Sequence, residues 1–600
     1  TVAGIFRDIP ENSHLRFDAV ASFINMKTQF GAYAGWGADD SYLGYIRLKP
    51  GVFPEQINQK IPALLPKYID VERERKQGFD MELYIKPVSE IYTQSTEVKR
   101  MVVIMSVLAF ALLFVAAMNY ILNSVSSLPI RARSVGVHKC NGASSKDIFN
   151  MFLFETAALF VVALVCMALL LFAFREYVAD MVAVPTLGTL LNAQTIWLPA
   201  IMILAIFILS ALLPARLFSV IPVTQVFRVS TSGKQGWKRS LLFIQFGGIA
   251  FVITLLVIVL LQYDRLMNND LGYDPENIVY APLNNMDDQK AAKLTAEFKK
   301  LPYVTATGLS SMDILSGYGG FPILDNEKNW LFTARQVNYD ADYLSLMKIP
   351  LLEGQPLKGD GDILVNESFV SKRGWTDAAI GKYIYDDEGN LKGKIVGVTR
   401  DFMVNSFFTP QLPVIMFGSD RMSYCNFTVR VSELTPEYLR EMNDKIAELF
   451  PNEDVGFTVL KTIIESQYEG TRHFRDGVFV ASIAILLITL MGLLGYITDE
   501  MHRRSKEIAI RKVNGATAPN ILRLLSKDVL ITAFPAILLG VIASRVVGES
   551  WLRQFADKIP LTVFIFISTA LLVLAIIWGC VILKSWNIAN ENPVRSIKNE

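Results

Sequence analysis

The chain has 600 residues, 52% of them hydrophobic and 19% charged, with a mean hydropathy of +0.34 and a formal net charge of +1. That balance excludes a string of ordinary soluble domains and predicts a membrane protein with sizeable wet parts. It carries no overall nucleic-acid footprint. The four cysteines, Cys140, Cys166, Cys425 and Cys580, lack metal-ligand spacing and favour neither a disulfide framework nor a zinc site.

The chain opens on TVAGIF, a strand-like pattern with no initiating Met and no charged-then-apolar leader, so it reads as the middle of a larger unit. LGYIRLKP, the helical PEQINQKIPALL and then MELYIKP suggest the end of an α+β domain over 1–96. A first membrane domain over 97–218 follows, with spans near 101–123, 152–174 and 196–218. A polar linker over 219–240 leads to a span at 241–262. Residues 263–475 alternate strand-like runs (ENIVYAPL, YVTATGLS, KIVGVTRDF, CNFTVRVS, VGFTVLK) with helical ones (QKAAKLTAEFKKL, PEYLREMNDKIAELF), an α+β pattern. A second membrane domain over 476–600 holds spans near 477–497, 529–548 and 562–583.

Basic residues set the orientation. Arg131, Arg133, Lys139 and Lys146 fall in one loop, Arg228, Lys234, Lys238 and Arg239 in a second, and Arg503, Arg504, Lys506, Arg511, Lys512, Arg523 and Lys527 in a third. All three lie on one side of the alternating topology, with Arg595 and Lys598 of the tail. The two polar domains are therefore expected outside. Glu155, Arg216, Asp528 and Arg545 sit near span ends, where a side chain can snorkel, and no intramembrane carboxylate relay is visible.

Two phrases repeat. RARSVGVHKCNGAS at 131–144 aligns with RRSKEIAIRKVNGAT at 503–517, each just after an apolar run. Setting Asn141-Gly142 on Asn514-Gly515 gives an offset of 373 that carries Arg131 onto Arg504, Lys139 onto Lys512 and Glu155 onto Asp528. VAGIFRDIPENS at 2–13 also matches IVGVTRDFMVNS at 395–406, and IPVTQVF at 221–227 is echoed by NPVRSIK at 592–598. The chain reads as two copies of one unit: a span, an outside domain and three more spans. Gly397 stands 156 residues after the start of its first span while Gly4 has three before it. By that logic about 150 residues with an eighth span belong upstream.

Each repeated phrase predicts a short helix closed by Asn-Gly, residues tolerant of the left-handed conformation. Ser144 or Thr517 is expected to cap the next helix, and Pro519 is acceptable in a first turn. Such a piece is a lever, suited to docking a cytoplasmic partner, with its basic residues facing acidic groups or lipid phosphates; the positive-inside rule alone is the plainer account. SSMDILSGYGGFP at 310–322 is a glycine-rich connection or a ligand contact. The four histidines are scattered and no nucleophile–base constellation stands out. STSGKQG and GNLKGKI both depart from the phosphate-cradling pattern G-x-x-x-x-G-K-[ST], so nucleotide hydrolysis, if used, belongs to another chain.

KEIAIRKVNGAT, SVGVHKCNGAS, LGYDPENIV, YLSLMKIPLLEGQPL, ILVNESFV, IVGVTRDF and the closing NPVRSIK resemble the FtsX/MacB-type permeases of ABC transporters, in their long two-unit form. The resemblance implies an α-helical membrane protein with α+β extracytoplasmic domains. Residues 1–96 would be the C-terminal part of one periplasmic core domain and 263–475 a second. Coupling segments at 125–150 and 498–528 would meet the ATPase through Arg131, Arg133, Lys139, Asn141, Gly142, Arg504, Lys506, Glu507, Arg511, Lys512, Asn514 and Gly515. Ser134 in place of Glu507 and His138 in place of Arg511 make the first copy less charged.

The same resemblance implies a cytoplasmic ABC ATPase dimer carrying ATP and Mg, no cofactor or enzymatic site on this chain, and residence in a bacterial inner membrane among its lipids. A periplasmic adaptor or cell-wall enzyme is the further class of partner. Export of an antimicrobial, lipid-like or lipoprotein cargo, mechanotransmission, and non-transporting regulation of cell-wall enzymes are the functions this leaves open.

Overall fold

The computed structural model describes residues 44–76, 82–91, 96–126, 128–181, 196–219 and 236–589, with isolated positions between 4 and 22. Within the last range it omits 285–286, 316–318, 326, 328, 376, 387–388, 405–407, 419–423, 452 and 454. The repeated phrases at 2–13, 221–227 and 592–598 and most of the 219–240 linker thus lie wholly or largely outside the described residues. The chain divides into two compact units. One comprises Thr1–Ser95, Leu266–Glu469 and Phe555–Asp557; the other comprises Thr96–Arg265, Gly470–Gln554 and Lys558–Glu600.

The first unit is built on an 11-stranded mixed sheet. Its strands are β1 (Ile278–Asn284), β2 (Val304–Ser310), β3 (Gly319–Leu324), β4 (Trp330–Tyr339), β5 (Leu351–Gly354), β6 (Asp362–Asn366), β7 (Tyr383–Tyr385), β8 (Leu391–Thr399), β9 (Val414–Gly418), β10 (Tyr424–Val431) and β11 (Thr458–Val459). The order is β11-β1-β10-β2-β4-β9-β6-β8-β5, with β3 on β4 and β7 on β8. Helices Asp288–Phe298 and Pro436–Leu449 cover the β1–β10–β2 side. Their starts are fixed by Asp287, which accepts from the Lys290 amide, and by Thr435, which accepts from the Tyr438 amide. Phe298, Phe427 and Phe457 meet beneath them, joined by Val279, Leu294 and Met442.

A second core of Phe321, Phe332, Ile363, Phe369 and Ile395 fills the β3–β4–β9–β6–β8 side. The two halves share one paired position, Ser310 with Tyr339. Asp340 reinforces that seam by accepting from the Leu309 amide at 2.7 Å and the Tyr343 amide at 2.9 Å.

Three phrases far apart in sequence converge in this unit. The Met403 amide donates to the Leu271 carbonyl at 2.7 Å, the Asp274 amide to Met347, and the Arg400 amide to Pro350. Arg430, 11% exposed, donates to the carbonyls of Leu346, Asp274 and Glu276 and pairs with the Asp274 carboxylate at 3.1 Å. Gly272 has φ +75, and a Cβ there would lie 2.5 Å from the Asp401 carbonyl oxygen, so LGYD needs its glycine on both counts. LGYIRLKP and MELYIKP, expected as strands, pair in no ladder among the described residues; the helical turns at Pro54–Asn58 and Ile61–Leu64 form as read.

Among the described residues, seven helices are long and apolar enough to span a membrane: Met101–Leu122, Ser145–Ala173, Trp197–Arg216, Arg239–Asn268, Glu469–Met501, Ala518–Leu552 and Val563–Trp586, here spans 1 to 7. Span 4 has 56% of its apolar window buried and span 2 only 6%. The first is therefore an interior helix and the second turns its apolar side outward, as a lipid-facing helix does. Span 6 carries Gly540, Ser544 and Gly548 at four-residue spacing on one buried face. A Cβ on Gly540 would run into the Gly247 carbonyl oxygen of span 4, and one on Gly548 would lie 2.8 Å from Ile258. Small residues there let the two backbones approach closely.

Candidate functional site

Each repeated phrase folds as an elbow. The first elbow helix, Leu128–Cys140, has Pro129 in its first turn, and the second, Ser505–Val513, continues span 5 past a one-residue break at Arg504 (φ −93, ψ 10). Both end alike. The Ala143 amide donates to the His138 carbonyl and the Gly142 amide to Lys139, while Ala516 donates to Arg511 and Gly515 to Lys512. With Gly142 at φ 94 and Gly515 at φ 89, this is the Schellman arrangement, in which a left-handed residue satisfies the last carbonyls of a helix.

The next helix starts differently in the two copies. Ser144 and Asp147 form a reciprocal capping box, with the Asp147 carboxylate accepting from the Ser144 amide at 2.9 Å and hydroxyl at 2.7 Å. Thr517 is correctly placed but its side chain caps nothing. Pro519 has no N–H to offer, and the Asn520 amide bonds the Thr517 carbonyl instead.

Burial follows one pattern in both elbows. Val135 and Gly136, like Ile508 and Ala509, are buried, whereas Ser134, Val137, His138, Cys140 and Asn141 are exposed, as are Glu507, Ile510, Arg511, Val513 and Asn514. Val135 packs with Ile148, Phe152 and Ala215. The outward face is thus apolar at its centre: Val137 is 53% exposed, Ile510 60% and Val513 68%. Beside it Arg511 pairs with Glu507 at 2.7 Å, and the first copy has His138 and Ser134 there.

Several basic residues read as docking groups face inward. Arg131 pairs with Glu155 at 2.7 Å, its guanidinium over the Phe152 ring. Arg504, at the equivalent position, is shared between Glu500 and Asp528, and Asp528 also meets Arg239 at 3.6 Å. Glu155 and Asp528 therefore meet arginines, which replaces the snorkelling expected of them; Arg545 lies over the Phe566 ring. Lys139 donates to the Ser219 carbonyl at the end of the span 3 helix. The Arg133 and Lys506 side chains lie outside those described. Glu500 escaped the sequence reading, although its place one turn before Arg504 was a usable signal.

In the first unit a cleft of about 340 Å³ is lined by Glu367, Ser368, Ser371, Lys372, Asp401, Gln411 and Pro413. The Ser368 hydroxyl donates to Asp401 at 2.6 Å and its amide to the same carboxylate at 2.9 Å, contacts that tie a short helix to the end of β8.

These features define a multi-pass membrane protein made of two elbow-bearing helical units and an α+β domain. A family model described as FtsX-like permease C-terminal matches residues 106–223 and again residues 479–593, one match on each elbow-bearing set of helices. The two matched stretches are therefore FtsX-like permease domains. Among solved structures it is similar to the periplasmic region of MacB from Actinobacillus actinomycetemcomitans, at 13% identity over 34% of this chain and 97% of that one, with a TM-score of 0.25. A permease-protein domain from Porphyromonas gingivalis is similar at 15% identity over 31% and 90%, with a TM-score of 0.24. The extracellular domain of the ABC-type transporter YknZ from Gram-positive bacteria is similar at 10% identity over 30% and 99%, with a TM-score of 0.22. No curated protein matches.

Proposed function

We propose that this chain is the membrane subunit of an ABC transporter in a bacterial inner membrane, driven by a separate cytoplasmic ATPase dimer that binds ATP and Mg. The observation that carries the reading is the recurrence of one elbow twice. Each has the same left-handed stop, the same buried and exposed positions, and an arginine strut to the helix that follows. A helix braced on its inner side and bare on its outer side transmits a push from a partner without yielding. The ATPase seats Val137 in one pocket and Ile510 with Val513 in another, and its closure moves the spans and, through the chain connections, the sheet domain. The motion expels an antimicrobial, lipid-like or lipoprotein cargo, or works a periplasmic adaptor or cell-wall enzyme.

The test is reconstitution of the full chain with its ATPase. Ile510→Asp with Val513→Asp, and separately Val137→Asp, are expected to abolish ATPase association and stimulation while thermal stability stays unchanged. Association that survives all three changes together would overturn the reading.

A further inference from the structure

The offset of 373 that superposes the elbows also carries Asn119 of span 1 onto Gly492 of span 5, and the fold sets these two equivalent positions against each other. Asn119 Nδ2 donates to the Ile488 carbonyl oxygen at 2.8 Å. A Cβ built on Gly492 would lie 2.8 Å from Asn119 Oδ1 and 3.4 Å from Gln245 Oε1. Earlier on the same two helices, a Cβ on Gly477 would lie 2.9 Å from Met105 Cε. At both places a side chain of the first repeat occupies the space left by a glycine of the second.

Equivalent positions face each other where two like units are related by a two-fold axis, and in a pair of identical subunits a residue on that axis meets itself. Here it does not. Asn opposite Asn is disfavoured, because even a bare Cβ at position 492 would lie 2.8 Å from the Asn119 oxygen and make that amide shift away from its bond to Ile488. Gly opposite Gly would leave a hole and forgo the bond to Ile488. We infer that Asn119 and Gly492 are the specificity determinants of repeat pairing: each half of the chain fits the other half and rejects its own kind, so the paired unit forms within one polypeptide.

Gln245 of span 4 is the third member. It is fully buried, neither of its amide atoms has a partner, and its oxygen converges with that of Asn119 on the same point. An unpaired amide within a membrane bundle is costly, so the Gln245 amide sets a polar character for the space that Gly492 leaves beside Asn119. The inference does not depend on the proposed function, and its readouts involve no ATPase.

In a full chain whose four cysteines are replaced by alanine, Met105→Cys and Gly477→Cys are introduced and treated in membranes with a short bifunctional thiol reagent. The expected product is a link within one chain, at monomer mass and insensitive to expression level; a product of twice that mass would overturn the inference. In the otherwise unchanged chain, Gly492→Ala and Asn119→Ala are each expected to lower the thermal midpoint. Combining them should recover part of the Gly492→Ala loss, because the oxygen that the new methyl meets is gone, and fully additive losses would count against the lock. The exchange N119G with G492N should keep the intramolecular link, and its disappearance would do the same.

Discussion

Arg131 and Arg504 occupy the same place in the repeat and carry different loads. Arg131 and Glu155 are 40% and 41% exposed, whereas Arg504, Glu500 and Asp528 are 15%, 11% and 27% exposed. An exposed pair contributes about 0–1 kcal/mol. Removing the cation from a mostly buried group takes a partner from two carboxylates at once and costs about 3 kcal/mol. Arg504→Ala should therefore lower the chain's thermal midpoint clearly and Arg131→Ala barely, as scanning fluorimetry in detergent would show; equal effects would mean that the burial difference is immaterial.

Asp340 gives a second prediction at the residue scale. Burial pushes its carboxyl up to about 6, against the lowering effect of the Leu309 amide and with the nearby Asp342 charge adding to the rise. In the unfolded chain it titrates near about 4. Between those values the folded state holds a proton that the unfolded state has released, so stability is full below about pH 4 and declines as pH rises through 6, by about 3 kcal/mol. Asp340→Asn should flatten the slope of unfolding midpoint against pH between about 4.5 and 6.5. An unchanged slope in the variant would assign the pH dependence to other groups.

At the scale of elements, the elbows separate what a local rule can read from what it cannot. Asn-Gly after a basic amphipathic stretch announces a left-handed stop, and both copies obey it because that stop needs only neighbouring backbone. The space around both glycines is open, so Gly142→Ala and Gly515→Ala should each cost about 1–2 kcal/mol from φ alone. The caps depend on detail. Ser144→Ala should cost about 1 kcal/mol, whereas Thr517→Ala should leave the unfolding midpoint within error because its hydroxyl caps nothing. That Arg131 faces Glu155 and Arg504 faces Asp528 was illegible, since each of those partners lies 24 residues away on another helix; only Glu500, one turn before Arg504, was within local reach. LGYIRLKP and MELYIKP pair in no ladder among the described residues, because alternation describes a face and a ladder needs a second strand.

At the scale of the whole molecule, spans and sheet domain were legible because their periods differ, but the seams between spans were not. Lipid and a neighbouring helix are equally apolar, so hydropathy cannot say which side of a span meets protein. The Gly540, Ser544 and Gly548 face of span 6 answers this for the second repeat, closing it on span 4 across the inserted domain. The offset of 373 places Met167 and Leu171 where the second repeat has Gly540 and Ser544, and Met167 is 42% exposed. The seam is therefore a property of one repeat and not of the unit they share. Gly540→Leu should force spans 4 and 6 apart, because a Cβ there meets carbonyl backbone that cannot give way, and overpacking of even ordinary core sites costs about 1–3 kcal/mol. Loss of the monodisperse species in detergent is the expected outcome, with Met167→Leu, at the equivalent site, eluting as the unaltered chain does. If Gly540→Leu behaved like Met167→Leu, the close approach of the two backbones would not hold the second repeat together.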